Sequence, residues 1–163
     1  MKNTNDNLEK ICNFYMSDWH FIVMLLPYIN KEINMQTQII TIFEKDMTEK
    51  VKTLVEKLNL KNKEKILKIN WKNSDINNFK NEFQKKFKAG SKNLLIVNGT
   101  NNYINEINKV INNMEYNDSS SSKQIKIIDC YDFDSNKDNI STILKKYDGM
   151  LNTSGETKIK NIL

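Results

Sequence analysis

The sequence predicts an α/β domain, with helices on both faces of a doubly wound, mostly parallel five-stranded sheet. Three observations carry that prediction. Apolar runs of strand length alternate five times with apolar stripes at helical spacing. The run Leu94-Leu95-Ile96-Val97 is aliphatic at four consecutive positions, as in a strand buried on both faces. The chain has 163 residues, one domain's worth at roughly 100–200 residues per domain. There is no internal repeat at a fixed period and no linker. Residues 1–155 therefore read as a single three-layer domain, and 156–163 as a tail or a short edge strand.

The elements follow in order. Ile11 to Met16 is the first strand, and Ser17 stands where a helix N-cap belongs. Ile22, Leu25, Leu26, Ile29 and Ile33 give the first helix its stripe, and Phe21, Val23 and Met24 broaden it. Pro27 predicts either a kink in that helix or its working start. Gln38 to Glu44 is the second strand. Asp46 and Glu49 have the spacing of a capping pair, ahead of a helix with Val51, Leu54, Val55 and Leu58 inward. Ile66 to Trp71 reads as a third strand. Ser74 then caps a helix with Ile76, Phe79, Phe83 and Phe87 at its core face, ended by Gly90.

Asn93 to Asn98 is the fourth strand. Gly99-Thr100-Asn101 turns into a helix carrying Ile104, Ile107, Val110, Ile111 and Met114. Residues 117–122 form a polar loop. Gln124 to Cys130 is the fifth strand. A last helix begins at Ser135, carries Ile140, Ile143, Leu144 and Tyr147, and closes at Gly149 or Gly155. Crossovers between such parallel strands are right-handed.

Composition narrows the function. Lys+Arg number 25 against 20 Asp+Glu, a net charge of +5, and every one of the 25 is lysine. The lysines are interleaved with carboxylates, as in Glu49-Lys50 and Glu56-Lys57, the pattern of solvated helix faces. Nucleic-acid sites favour arginine for its planar bidentate fork, so no direct nucleic-acid partner is expected. No apolar run has the length of a membrane span, and the N-terminus lacks the apolar core of a signal peptide. A reduced, cytoplasmic setting is the expectation. Two cysteines, Cys12 and Cys130, both lie inside predicted strands, where a thiol behaves as a small hydrophobe.

Most catalytic chemistry lacks its residues. The turn after the first strand, Met16-Ser17-Asp18-Trp19-His20, has no glycine and no Gly-Lys pair. Backbone amides there cannot surround a phosphate as a nucleotide loop does. The third strand ends in Trp71-Lys72-Asn73, without a phosphoacceptor aspartate. His20 is the sole histidine. Asp129, Asp132 and Asp134 straddle a strand end, so alternate side chains diverge, and they read as solvated or capping carboxylates. No metal, cofactor or catalytic residue is assigned.

Doubly wound sheets bind ligands outside the carboxyl ends of their strands, near the switch in strand order. That rule nominates Tyr15, Ser17, Asp18, Trp19, His20, Trp71, Asn98, Thr100, Tyr131 and Asp132 as ligand-binding residues. Aromatic walls with a few polar groups suit a small organic molecule. Three readings compete. A non-catalytic sensory module predicts an apolar pocket between Trp19, Trp71 and Tyr131. A small enzyme around Asp18 and His20 predicts His20 bonded to a carboxylate. A protein-interaction module predicts an exposed apolar patch on a helix.

Two segments also resemble a known family. Ile11-Cys12-Asn13-Phe14-Tyr15-Met16-Ser17-Asp18 leads into Leu26-Pro27-Tyr28-Ile29 and the Ile39-Ile40 strand. Asp129-Cys130-Tyr131-Asp132-Phe133 leads into Ser141 to Leu144 and Leu151 to Gly155. Together they resemble the MEDS domain, a sensory domain named for methanogens, methylotrophs and the repressor DcmR. Cys130 is followed directly by Tyr131, Tyr147-Asp148-Gly149 stands where the family often has His-Pro, and Lys10 replaces a histidine. The resemblance implies a core similar to the RecA-like ATPases with the phosphate loop lost. It also implies a small organic signal as ligand, and a kinase or transcription regulator as signalling partner.

Overall fold

The computed structural model describes residues 8–86, 92–113 and 124–161. Its elements are strand β1 (Leu8–Tyr15), helix α1 (Asp18–Asn34), β2 (Gln38–Phe43), α2 (Thr48–Leu58), α3 (Lys63–Leu67) and α4 (Ile76–Lys86). They continue with β3 (Lys92–Asn98), α5 (Asn101–Asn113), β4 (Gln124–Asp132), α6 (Phe133–Asn136), α7 (Ile140–Leu144), β5 (Gly149–Asn152) and β6 (Gly155–Lys158). A 3-10 turn, Ile159–Asn161, follows β6. The expected positions of Phe87, Gly90, Met114 and the 117–122 loop lie outside the described residues.

The sheet is six-stranded, in the order β2-β3-β4-β1-β5-β6. The first five strands in that order are parallel, and β6 returns antiparallel to β5. Alternation along each strand sends side chains to two faces. Ile11, Phe43, Leu94, Ile96, Ile128 and Leu151 face α1, α2 and α3. Cys12, Ile40, Ile42, Leu95, Val97 and Ile127 face α4, α5 and α7. Leu94 to Val97 are all buried, as an interior strand of a two-sided sheet requires.

Three expectations are corrected. Ile66–Trp71 is not a strand: its start belongs to α3, whose Ile66 is buried while Leu67 and Lys68 are exposed. A central strand would bury both faces, and this stretch has one apolar side to offer. The chain instead wraps round the carboxyl end of β2. Thr41 donates its hydroxyl to the Asn70 carbonyl, Ser74 N–H donates to Phe43 O at 2.7 Å, and a single bridge joins Phe43 to Asn73. That wrap carries the chain from the α2–α3 face to the α4 face.

The last helix is also corrected. It is broken into α6 and α7, and neither Gly149 nor Gly155 ends it. Gly149 lies in β5, where an added Cβ would stand 3.0 Å from the Thr157 carbonyl and 3.3 Å from the Ile11 side chain. Gly155 begins β6 with φ 113°, beyond the reach of most side chains. Residues 155–158 are therefore an edge strand. It is fastened to α1 and β4 by Glu156, which accepts from Tyr28 Oη at 2.5 Å and from Lys126 Nζ at 2.6 Å.

Asp129 is the third correction. It is neither solvated nor a cap, but 0 % exposed on the α5 face of β4. Its carboxylate accepts from Tyr147 Oη at 2.6 Å and from Asn108 Nδ2 at 3.0 and 3.2 Å. Lys10 Nζ stands 4.0 Å away, and Tyr147 Oη also meets Tyr131 Oη at 2.5 Å. Burial raises the Asp129 carboxyl above its ordinary range, against the opposing pull of the Tyr147 bond and the Lys10 charge.

The raised value has a definite sign. Between the ordinary carboxylate range and the native value, the folded protein holds more protons than the unfolded chain, so stability falls as pH rises through that window. Denaturant melts across that window are expected to show this slope, and Asp129→Asn to flatten it. Tyr147→Phe removes a donor to a buried carboxylate and is expected to cost about 1.5–3 kcal/mol at neutral pH.

Candidate functional site

The carboxyl edge of the sheet is built by four turns. The chain leaves β1 for α1 on one face and leaves β4 for α6 towards the other, so the strand order switches between these neighbours. Met16 and Ser17, both exposed, make the β1–α1 turn. Ser17 is the N-cap of the 17-residue α1: its backbone is extended and its Oγ accepts from His20 N–H at 3.1 Å. The His20 ring folds back, and Nδ1 accepts from Met16 N–H at 2.9 Å. That bond places the imidazole proton on Nε2.

Asp18 opens α1, where the helix dipole favours a carboxylate. It is gripped by two lysines from the next unit of the chain. Lys45 Nζ lies at 3.1 and 3.3 Å and Lys50 Nζ at 3.2 Å. Burial pushes the Asp18 carboxyl up, but the hydrogen bonds and charges of both lysines outweigh it and hold it below its usual value. Lys50 also lies 5.9 Å from the Trp19 ring centroid. Trp19 is 45 % exposed, and Met16 and Val23 are exposed beside it at 56 % and 40 %.

Glu44 organises the β3–α5 turn. Its N–H donates to Asn98 O at 2.9 Å, and its Oε1 accepts from Thr100 N–H at 2.7 Å. Gly99 is required beneath it, since a Cβ there would stand 2.7 Å from the Tyr103 ring and 2.8 Å from Glu44 Oε1. Thr100 Oγ1 accepts from Tyr103 N–H at 3.2 Å and so caps α5. At the end of β4, Asp132 Oδ2 accepts from Ser135 N–H at 3.0 Å and Ser135 Oγ at 2.7 Å, capping α6.

Asn98 differs from these. It ends β3 on the α1 face, is 0 % exposed, and neither side-chain polar atom has a hydrogen-bond partner. Tyr15 comes up on the same face from β1, against Phe21 at 5.2 Å between ring centroids. Burial raises its phenol, and Asn98 is close enough to oppose that shift, although no hydrogen bond of normal geometry joins the two.

The structure thus gathers Tyr15, Ser17, Asp18, Trp19, His20 and Asn98 about one turn, with Thr100 and Asp132 capping at the neighbouring strand ends. Trp71 and Tyr131 lie elsewhere. Trp71 is in the α1-side core, donating from Nε1 to Ile66 O at 2.8 Å and packing 5.7 Å from Phe43. Tyr131 faces the opposite layer, stacked 5.7 Å from Phe14. The sheet separates them, so no pocket lies between Trp19, Trp71 and Tyr131. Sequence reasoning missed Lys45 and Lys50, whose link to Asp18 is purely tertiary. It also missed Asn13, although an asparagine within the buried run Ile11-Cys12-Asn13-Phe14-Tyr15 was a readable signal.

Burial pushes the Cys12 thiol up to about 12 and raises Cys130 further above its ordinary value, so neither is an activated nucleophile. Among the described residues, no three His, Cys, Asp or Glu side chains gather as a metal site, and no helix is long and apolar enough to cross a membrane. In comparisons with protein-family models, with the curated proteins and with the solved structures, nothing matches the chain.

Two outcomes are expected from this geometry. Isothermal titration with Mg-ATP should give no heat of binding, because the Asp18 carboxylate already stands at the α1 N-terminus and engages Lys45 and Lys50. Trp71→Ala should destabilise by ~3–5 kcal/mol, as truncating a buried Trp does. Trp19→Ala, half in solvent, should lie within about 1 kcal/mol of the parent in urea melts.

Proposed function

We propose that the chain is a non-catalytic sensory or regulatory module that binds a small organic ligand at the turn following β1. The observation that carries this reading is the Asn98 side chain, fully buried at the end of β3, one strand from the switch in strand order, with both polar atoms unpaired. Leaving a buried donor or acceptor unmet costs about 1–3 kcal/mol. A ligand reaching Asn98 would recover that cost as affinity. In this reading the domain is MEDS-like and cytoplasmic, and its core is a RecA-like fold whose phosphate loop is replaced by the Ser17–His20 turn. The ligand's arrival is passed to a kinase or transcription regulator.

The enzyme reading has less support. His20 Nδ1 takes a backbone N–H rather than a carboxylate, and Ser17 Oγ is occupied as a cap. No base orients a nucleophile there. The signalling partner is favoured by a separate observation, the exposed Met16, Trp19 and Val23 at the start of α1. Such a cluster suits a protein surface that reads the state of the turn beneath it.

A thermal-shift screen against a library of small organic compounds tests the reading. At least one compound class should raise the melting temperature, since a ligand bound only by the native state stabilises it. Trp19 emission, isolated in Trp71→Phe, should change with the same concentration dependence. A library that leaves both the melting temperature and the emission unmoved would sink the proposal.

A further inference from the structure

Asn98 is not alone at its level of the sheet. The register sets Asn98 opposite Cys130 and Cys130 opposite Asn13. Three side chains from β3, β4 and β1 therefore stand in one row on the α1 face, spanning roughly 10 Å at ~4.8 Å per strand. All three are buried. Asn13 Nδ2 donates to the Leu151 carbonyl and contacts the Met24 sulfur, both at 2.9 Å, while its Oδ1 has no partner. Cys130 Sγ makes one long contact, 3.8 Å to Ile128 O. Of the five buried side-chain polar atoms left unmet among the described residues, three belong to this row: Asn98 Nδ2, Asn98 Oδ1 and Asn13 Oδ1.

Native proteins pair nearly all their buried polar groups, and apart from the Tyr15 phenol that approaches Asn98, three atoms of one row next to the switch in strand order have no hydrogen bond of normal geometry, which an occupant would supply. We propose that the row recognises the polar end of a small neutral ligand that carries a hydrogen-bond donor beside an acceptor, as a carboxamide, urea or lactam does. This rests on the ligand-binding reading above and names its ligand class. The edge of the Asn98 amide presents N–H and C=O side by side, the pattern that pairs with a complementary donor and acceptor in two parallel bonds. Asn13 Oδ1 takes the second N–H where the ligand has one, as a primary carboxamide or urea does and a lactam does not. The ligand is neutral because the row holds no ion to compensate a charge. Lys45 and Lys50, the lysines at this turn, are both engaged by Asp18, and an unpaired ion is strongly disfavoured at such depth.

The test is a titration of the ¹⁵N-labelled full chain with 2-pyrrolidinone and with acetamide. Acetate, inorganic phosphate and methylammonium serve as charged counterparts. The Asn98 side-chain NH₂ signals are assigned by their loss in Asn98→Leu. The neutral amides should shift those signals saturably and raise the melting temperature, whereas the charged probes should do neither. Asn98→Leu should fold at least as stably as the parent, because it removes an unmet buried amide, and should bind the amides about tenfold more weakly or worse. Should Asn98→Leu not fold, Asn98→Thr removes the amide edge without adding a buried charge and should lose the same binding.

Amide probes that leave the Asn98 signals unmoved would overturn the proposal and assign the row to ordered water alone. Equal amide binding by Asn98→Leu would overturn it too. A charged or apolar compound that stabilises the chain where amides do not would overturn the ligand class while leaving the sensory reading standing. That wider reading fails only with the whole library.

Discussion

The rest of the structure depends on the pairing of β1 along both its edges. One edge meets β4 from Leu8 opposite Ile125 to Tyr15 opposite Asp132, and the other meets β5 at Ile11 and Cys12. A parallel neighbour on each side must be reached by crossovers, and crossovers place helices on the faces. α1 therefore leaves β1 across one face, while α6 and α7 approach β5 across the other. The opening between those departures sits over Tyr15, Ser17 and Asp18. The location of the candidate site is thus a consequence of where β1 pairs.

The two faces treat buried polarity differently. On the α5 side, Asp129 is met by Tyr147, Asn108 and Lys10, and that set ties β4 to the segment entering β5. Cys12 Sγ contacts Gly149 O and Asp148 pairs with the Lys10 backbone, so the same region fastens the β5–β6 hairpin to the sheet. On the α1 side, Asn13 and Asn98 are buried as deeply but left partly unmet. Both Asp129 oxygens are met, although Asn108 Oδ1 beside them is not, whereas on the α1 side neither polar atom of Asn98 has a partner.

The turn after β1 shows how a helix N-terminus can be satisfied from within. The helix N-terminus, two converging lysines and a strand end are all present, yet the anion among them is the side chain of Asp18. The absence of glycine from Met16 to His20 was readable beforehand. The identity of the group standing in that place was not, because Lys45 and Lys50 reach Asp18 only once β2 has taken its position at the far edge of the sheet.

Much of the fold was legible along the chain. Period-2 and period-3.6 patterns located β1, α1, β2, α2, β3, α5 and β4, and Ser17 was recognisable as a cap, because these follow from neighbours within a few residues. Ile66–Trp71 misled, since a short apolar run does not say whether a strand stands beside it. Gly149 and Gly155 misled similarly: their glycine identity answers to close packing against Thr157 and Ile11 and to a hairpin turn, both set at a distance. Trp71, Tyr131 and Asn98 were all nominated from their places near expected strand ends. The sheet's two-sidedness separated Tyr131 from the turn, the packing of Trp71 on Ile66 and Phe43 drew it into the α1-side core, and Asn98 was left beneath the turn. The sequence alone determined the fold class, the main elements and the lack of a phosphate loop, because those are local properties of residue type and spacing. The tertiary structure decided which polar groups are met, because hydrogen-bond partners and register belong to strands far apart in the chain.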